Sequence, residues 1–185
     1  MSPLDVLHTR NSAAVLMEPA PCGDALDNIL KAAVRASDHR RLRPWKFLLV
    51  EGESREKLSE IFLGVATSRG KVTSTEAGDA IKAKLYRAPL IIVVVASIKP
   101  DTAVPEIEQI LSAGCAAQLM LVAAHAQGYA GIWRTGDMAY DPEVVSALGL
   151  TDTDKIVGFI YLGTASKTKP LAIVDPYEHT TVWNG

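Results

Sequence analysis

Cysteine is scarce in this chain of 185 residues: Cys22 and Cys115 are the only two, far apart and in no CxxC pattern. Thiols so placed build no disulfide framework and point to a reducing, cytoplasmic setting. Histidine is equally thin. His8, His39, His125 and His179 are scattered without an HxxxH pair, so no metal site is expected. No GxGxxG follows a candidate strand, no GxxxxGK[ST] loop is present and no GxSxG elbow occurs. These absences disfavour a Rossmann dinucleotide site, a P-loop and a serine-hydrolase centre. An excess of one charge is missing too: 19 Lys and Arg stand against 21 Asp and Glu. No bulk field therefore draws nucleic acid or an anionic membrane. Residues 1–5 carry neither a basic segment nor an apolar one, and no secretory signal is expected. Long uninterrupted apolar runs are lacking as well. Residues 90–96 are too few to cross a bilayer, and 107–128 contain Glu108, Gln109, Gln118, His125 and Gln127, which suits a buried helix better than a membrane span.

What is present is an interleaving of helical and extended patterns in a chain of single-domain length. Residues 3–9 read as a short helix, followed by an irregular segment to Pro21. Leu26, Ile29, Leu30, Ala33 and Val34 recur at helical spacing, predicting an amphipathic helix over 24–36. Residues 54–68 and 76–86 also read as helical. Strands are predicted at 45–51, 90–96, 129–133 and 156–162; the second is a β-branched run suited to burial on both faces. Pro105 opens a long helix that Gly128 closes. Within it, residues 112–117 are small side chains, fitting a close intrachain contact or a subunit interface equally well. Asp141-Pro142-Glu143 is an N-cap, a proline at the first helical position and an acid in the first turn. The order implies an α+β or α/β three-layer sandwich. The tail from 163 onward is expected to pack across something, since Tyr177 and Trp183 stand near its end.

Three polar clusters are left for chemistry. Arg10-Asn11-Ser12 offers a guanidinium, an amide and a hydroxyl in succession, suited to a phosphate; a plain surface loop is the bland alternative. Arg35 to His39, with Arg40, Arg41 and Arg43 beyond, closes the amphipathic helix, where cations also complement the helix dipole. Trp133-Arg134-Thr135, flanked by Gly131 and Gly136, leaves the end of a strand, a common place for ligands in open sheets. His125, inside the apolar helix, reads as a hydrogen-bonded core histidine.

Together these clusters resemble the nitroreductase family. Arg10-Asn11-Ser12 is similar to its Arg-x-Ser flavin-phosphate motif. Ala36-Ser37-Asp38-His39 with Arg43-Pro44-Trp45-Lys46-Phe47 is similar to its loop leading into a Gln-Pro-Trp-x-Phe strand, with Arg43 where glutamine is usual and Ser37 where proline is common. The β-branched run, Ser112-Ala113-Gly114, the Gly131–Gly136 segment and residues 155–163 follow in the family's order; Thr164-Ala165 replaces the Tyr-Pro often seen after Gly163. The likeness covers nearly the whole chain and is greatest with the short branch.

The resemblance implies a single α+β domain over 1–185, a three-layer α/β/α sandwich with a mostly antiparallel central sheet, in an intertwined homodimer whose residues 164–185 pack on the partner. It implies FMN at the subunit interface, held by Arg10, Asn11, Ser12, Trp133, Arg134 and Thr135 of one protomer and by Arg35 and His39 of the other. It further implies ping-pong transfer of a hydride from NADH or NADPH through flavin N5 to a small-molecule acceptor such as a nitroaromatic or quinone, with no catalytic side chain. The alternatives are another flavin redox reaction on the same fold, or a protein that senses or stores flavin without turnover.

Overall fold

The computed structural model describes residues 2–100, 102–167 and 169–185. Its elements run α1 (Pro3–Thr9), β1 (Leu16–Met17), α2 (Gly23–Ala33), β2 (Trp45–Glu51), α3 (Glu53–Ser68), α4 (Thr75–Ala83), β3 (Leu90–Ser97), α5 (Glu106–Ala126), β4 (Ala130–Arg134), α6 (Pro142–Ala147) and β5 (Asp154–Ala165). β2 pairs with β3, β3 with β5, and β5 with both β4 and β1, every ladder antiparallel. The 12-residue β5 carries β3 along one edge and β4 then β1 in succession along the other.

β3 is buried at every position because both faces of the sheet are covered. Its side chains alternate between two cores. Ile91, Val93 and Val95 join Phe159 and Tyr161 of β5 beneath α3, α4 and α6. Leu90, Ile92 and Val94 join Ile160 and Leu162 beneath α2 and α5. The result is the expected α+β three-layer sandwich with a mostly antiparallel sheet. The small residues of α5 find their partner within the chain: Ala113, Ala116, Ala117 and Ala124 are fully buried against the sheet, letting the helix lie close to it. Gly128 ends that helix at φ 82°, where other residues pay a steric penalty. By length and composition α5 would also cross a bilayer, but its inward face is taken by this packing. Asp141 caps α6 by accepting from the Glu143 amide.

Some boundaries move. β4 begins at Ala130, leaving Tyr129 outside it, and α2 ends at Ala33. β1 falls within the segment expected to be irregular; two residues carry no periodicity, and only their long-range partners Thr164 and Ala165 make them a strand. Those two residues therefore belong to the sheet. The arm beyond the sheet begins at Ser166 and leaves Ile173, Val174, Tyr177, Val182 and Trp183 exposed.

Asp154 anchors the start of β5. It is 2% exposed and accepts from Lys46 Nζ at 2.9 Å, the Thr151 amide at 3.0 Å and the Thr151 hydroxyl at 3.0 Å. Burial alone would push this carboxyl up; the Thr151 amide, Lys46 and the Ser97 and Thr151 hydroxyls overcome it and hold the pKa down at about 2.

A bulge in β5 serves β4. The β3–β5 register slips between Val94 and Val95, which face Gly158 and Ile156, so Val157 drops out of the ladder. Its carbonyl is left for the Trp133 indole N–H, which donates to it at 3.2 Å. Gly158 makes room for this ring: a Cβ there would stand 2.1 Å from Trp133 Nε1 and 2.6 Å from Cδ1. Gly158→Ala is expected to destabilise the fold by about 1–3 kcal/mol through overpacking. A thermal melt at fixed protein concentration should fall by roughly 4–8 °C for a 2 kcal/mol loss. An unchanged melt would show that the indole moves aside freely.

Candidate cofactor-binding site

α1 is held by a capping box: the Ser2 hydroxyl accepts from the Asp5 amide while the Asp5 carboxylate accepts from the Ser2 amide. The chain leaves helical geometry at Arg10 (φ −58°, ψ 126°) and is laid beside β4. Ser12 forms a parallel bridge with Gly131, and the Ala13 amide donates to the Gly131 carbonyl at 3.2 Å. Glycine is needed there, since a Cβ would meet Leu121 Cδ2 at 2.7 Å and Leu162 Cδ2 at 2.8 Å. The first polar cluster thus lines a cavity of about 280 Å³, together with His125 of α5 and Lys167 and Lys169 beyond β5.

This cavity is cationic. Arg10, Lys167 and Lys169 line it, and none of its described lining residues is a carboxylate. Asn11 acts as a brace. Its Nδ2 donates to the Lys169 carbonyl at 3.0 Å, and its Oδ1 accepts from the Ser12 amide at 2.9 Å. The brace ties the segment carrying the lysines onto the segment carrying Arg10. His125 is half-buried and shares a hydrogen bond with Thr9 Oγ1 at 2.9 Å, so it is bonded as expected but stands at the cavity wall rather than deep in the core. The two lysines escaped the sequence reading. Their only signal was position: two cations just after the last strand.

The third cluster divides between the two faces of β4. Trp133 packs toward α2 and α5. Arg134 points to the opposite face, donates from Nη2 to the Ala14 carbonyl at 3.1 Å and lies 5.6 Å from the Tyr161 ring centroid. Its buried Nε has no partner. Burial pushes the Tyr161 hydroxyl pKa up, opposed by the positive charges of Arg134 and Arg87. Trp133, Arg134 and Thr135 line a second cavity of about 820 Å³, which also takes in Lys84 and Tyr161. Gly131 in the first cavity and Thr135, just past the end of β4, in the second are four residues apart, about 13 Å of extended chain.

Arg35 and His39 lie elsewhere. His39 Nδ1 meets Glu108 Oε2 at 2.7 Å, near the start of α5. Gln127, just past the other end of α5, donates to the Ala25 carbonyl at 3.1 Å and accepts from Asn28 at 3.3 Å. α2 therefore runs antiparallel to α5 and delivers Arg35 to its N-terminal end. His125, at the Arg10 cavity, is 17 residues from Glu108, about 25 Å along the helix. One chain does not bring Arg35 and His39 to Arg10. Among the described residues, no trio of His, Cys, Asp or Glu stands together as a metal site.

The chain compares closely with known proteins. The model of the nitroreductase family matches residues 16–164. The curated "Putative NAD(P)H nitroreductase YdjA" of Escherichia coli K12 is 47% identical over 164 residues, covering 89% of this chain and 88% of its own. A Haemophilus influenzae protein of similar name is 37% identical over 169 residues, covering 89% of each chain. Among solved structures, a nitroreductase-like family protein from Bacillus cereus superposes with a TM-score of 0.87 at 25% identity, over 100% of this chain and 97% of that one. A nitroreductase with bound FMN from Bacteroides fragilis gives a TM-score of 0.75 at 22% identity, covering 99% and 100%, a likeness of fold. With the motif order, the antiparallel three-layer sandwich and a family match across most of its length all in agreement, this chain belongs to the nitroreductase family.

Proposed function

We propose that this chain is an FMN-dependent oxidoreductase that passes electrons from NADH or NADPH to a small electrophilic acceptor such as a nitroaromatic or a quinone. The observation that carries this reading is the cavity built by Arg10, Asn11 and Ser12 with Lys167 and Lys169: three cations, no carboxylate among the described lining, and an amide brace holding both segments. Such a site suits one phosphate. Its volume of about 280 Å³ lies at the small end of ligand pockets, so it houses the phosphate end and leaves a flat ring outside. Trp133, further along β4 and on the same α5 side of the sheet as this cavity, is next in reach of that ring, whereas the Arg134 side chain stands on the opposite side. FMN, when bound, accepts and returns the electron pair. This chain's own part is to hold the phosphate and place the ring. The names of the curated relatives and the FMN in the Bacteroides fragilis structure support the same cofactor pair.

The reading includes a homodimer. α5 turns Ile107 and Leu111 outward at 59% and 60% exposure, with Cys115 and Gln118 exposed on the same side. An apolar row left open in this way on a sheet-packed helix fits a second copy. Two α5 helices packed antiparallel about a two-fold would set the Glu108 end of one beside the His125 end of the other. The partner's Arg35 and the partner's His39 would then reach the Arg10 cavity, and residues 166–185 would cover the partner's surface.

Purified protein should be yellow, and heat-released cofactor should run as FMN on chromatography. NAD(P)H oxidation with menadione should give parallel reciprocal plots at several acceptor concentrations, since so small a site serves donor and acceptor in turn. A colourless protein that fails to bind added FMN overturns the reading; intersecting plots overturn the alternation.

A further inference from the structure

The second basic segment holds more charge than a flavin contact requires. Arg40, Arg41 and Arg43 adopt φ of 60°, 56° and 50° and are the only non-glycine residues at positive φ among the described residues. Left-handed backbone is sterically costly for an ordinary side chain, so three in four positions is a substantial local strain. The chain enforces it from beneath. The Asp38 carboxylate accepts the Leu42 amide at 3.1 Å and the Arg43 amide at 2.7 Å, the Asp38 carbonyl accepts the Arg41 amide at 3.3 Å, and buried Pro44 closes the turn.

Among the described residues the strain secures no ion pair for these arginines. All three arginine side chains are exposed, and none meets a carboxylate among the described residues. Asp38 is spent on backbone amides and leaves the guanidinium groups uncompensated. Strain held without an internal return is typical of ligand-binding segments. Three unpaired guanidinium groups on a braced turn match a doubly charged phosphate, to which each offers a forked pair of donors. Arg43 also departs from the glutamine usual in the family.

We propose that Arg40, Arg41 and Arg43 form a phosphate clamp for the electron donor, recognising the 2′-phosphate on the adenosine ribose of NADPH and so favouring NADPH over NADH. The inference rests on the proposed NAD(P)H-dependent activity and on the dimer that brings His39, the residue before Arg40, to the flavin site. The donor's reactive ring sits at the flavin, and its adenosine end must extend beyond it. The turn follows directly on His39 in the chain and offers exposed charge beside it, suited to the 2′-phosphate by which NADPH and NADH differ.

The test separates the clamp from the flavin reading by measuring binding directly. Isothermal titration calorimetry of the FMN-loaded protein should show adenosine 2′,5′-bisphosphate binding at least about tenfold more tightly than adenosine 5′-monophosphate, the effect of one charge-assisted contact. Arg40→Gln with Arg41→Gln should remove most of that difference and lower the NADPH-to-NADH ratio of kcat/KM by a similar factor. Arg41→Gly gives the discriminating readout. It relieves the left-handed strain, so the melting temperature should hold or rise while the bisphosphate preference falls; a merely structural role predicts that both fall together. Equal affinity for the two nucleotides, or a preference that survives the double substitution, overturns the clamp even if the protein is yellow and active. Tighter binding of duplex DNA or anionic vesicles than of the bisphosphate would also overturn it, assigning the turn to a polyanion surface.

Discussion

Replacing Arg10, Lys167 and Lys169 together by alanine is expected to yield a folded but colourless protein. Arg10 is half-buried at the cavity wall, and its charge-assisted contact with a phosphate is worth about 1.5–3 kcal/mol. The lysines are exposed, so salt screens them and each adds less, on the order of 0.5–1 kcal/mol. The sum, about 2.5–5 kcal/mol, weakens FMN by roughly a hundred- to several-thousand-fold, enough to lose it during purification. Fluorescence titration with FMN should show the loss, and the wild-type affinity should fall as salt is raised. The stability of the apo form should change little, because these side chains face a cavity rather than the core. Asn11→Ala should behave differently. It removes the brace between the two segments, so flavin binding weakens while every cation remains. Full retention of flavin by the triple variant would refute the phosphate assignment.

Two defective variants are expected to repair each other. Arg10→Ala damages the cavity of its own chain. Arg35→Ala with His39→Ala damages the opposite end of α5, about 25 Å away. In either homodimer both flavin sites carry a defect. In a mixed dimer both defects fall on one site, and the other is intact. Random pairing makes about half the dimers mixed, each with one good site, so roughly a quarter of wild-type flavin binding should return. The variants must be co-expressed or refolded together, since a large interface exchanges slowly. Mixed dimers confirmed by mass that recover no flavin would place the whole site within one chain and remove the reason for pairing α5 with its copy. A stable folded monomer at low micromolar concentration would do the same.

Much of this protein was legible in the linear order of its residues. A β-branched run with no polar interruption specifies a strand covered on both faces, and β3 is that strand. Pro105, Gly128, Asp141 and Gly149 mark helix ends by chemistry local to each residue, and the helices start and stop there. The clusters around Arg10, Arg35 and Trp133 were visible because their residue types suit a phosphate and a flat ring and follow a family order. Local chemistry needs no partner distant in sequence, so a sequence declares it.

Tertiary structure decided what depends on remote partners. The small residues of α5 fitted two kinds of contact equally, and the sheet took Ala113, Ala116 and Ala117, leaving Ile107 and Leu111 as the open row. β1 exists because Thr164 and Ala165 lie beside it. Lys167 and Lys169 join Arg10 because β5 ends where the first loop crosses β4 and Asn11 ties the two together. Trp133 and Arg134 are neighbours in sequence yet face opposite cores, since successive side chains of a strand alternate. Arg10 and Arg35 lie 25 positions apart in sequence, but α2 and α5 run antiparallel and carry them to opposite ends of one long helix. Residue type sets what a group can bind; only the packing of helices and strands sets which groups meet.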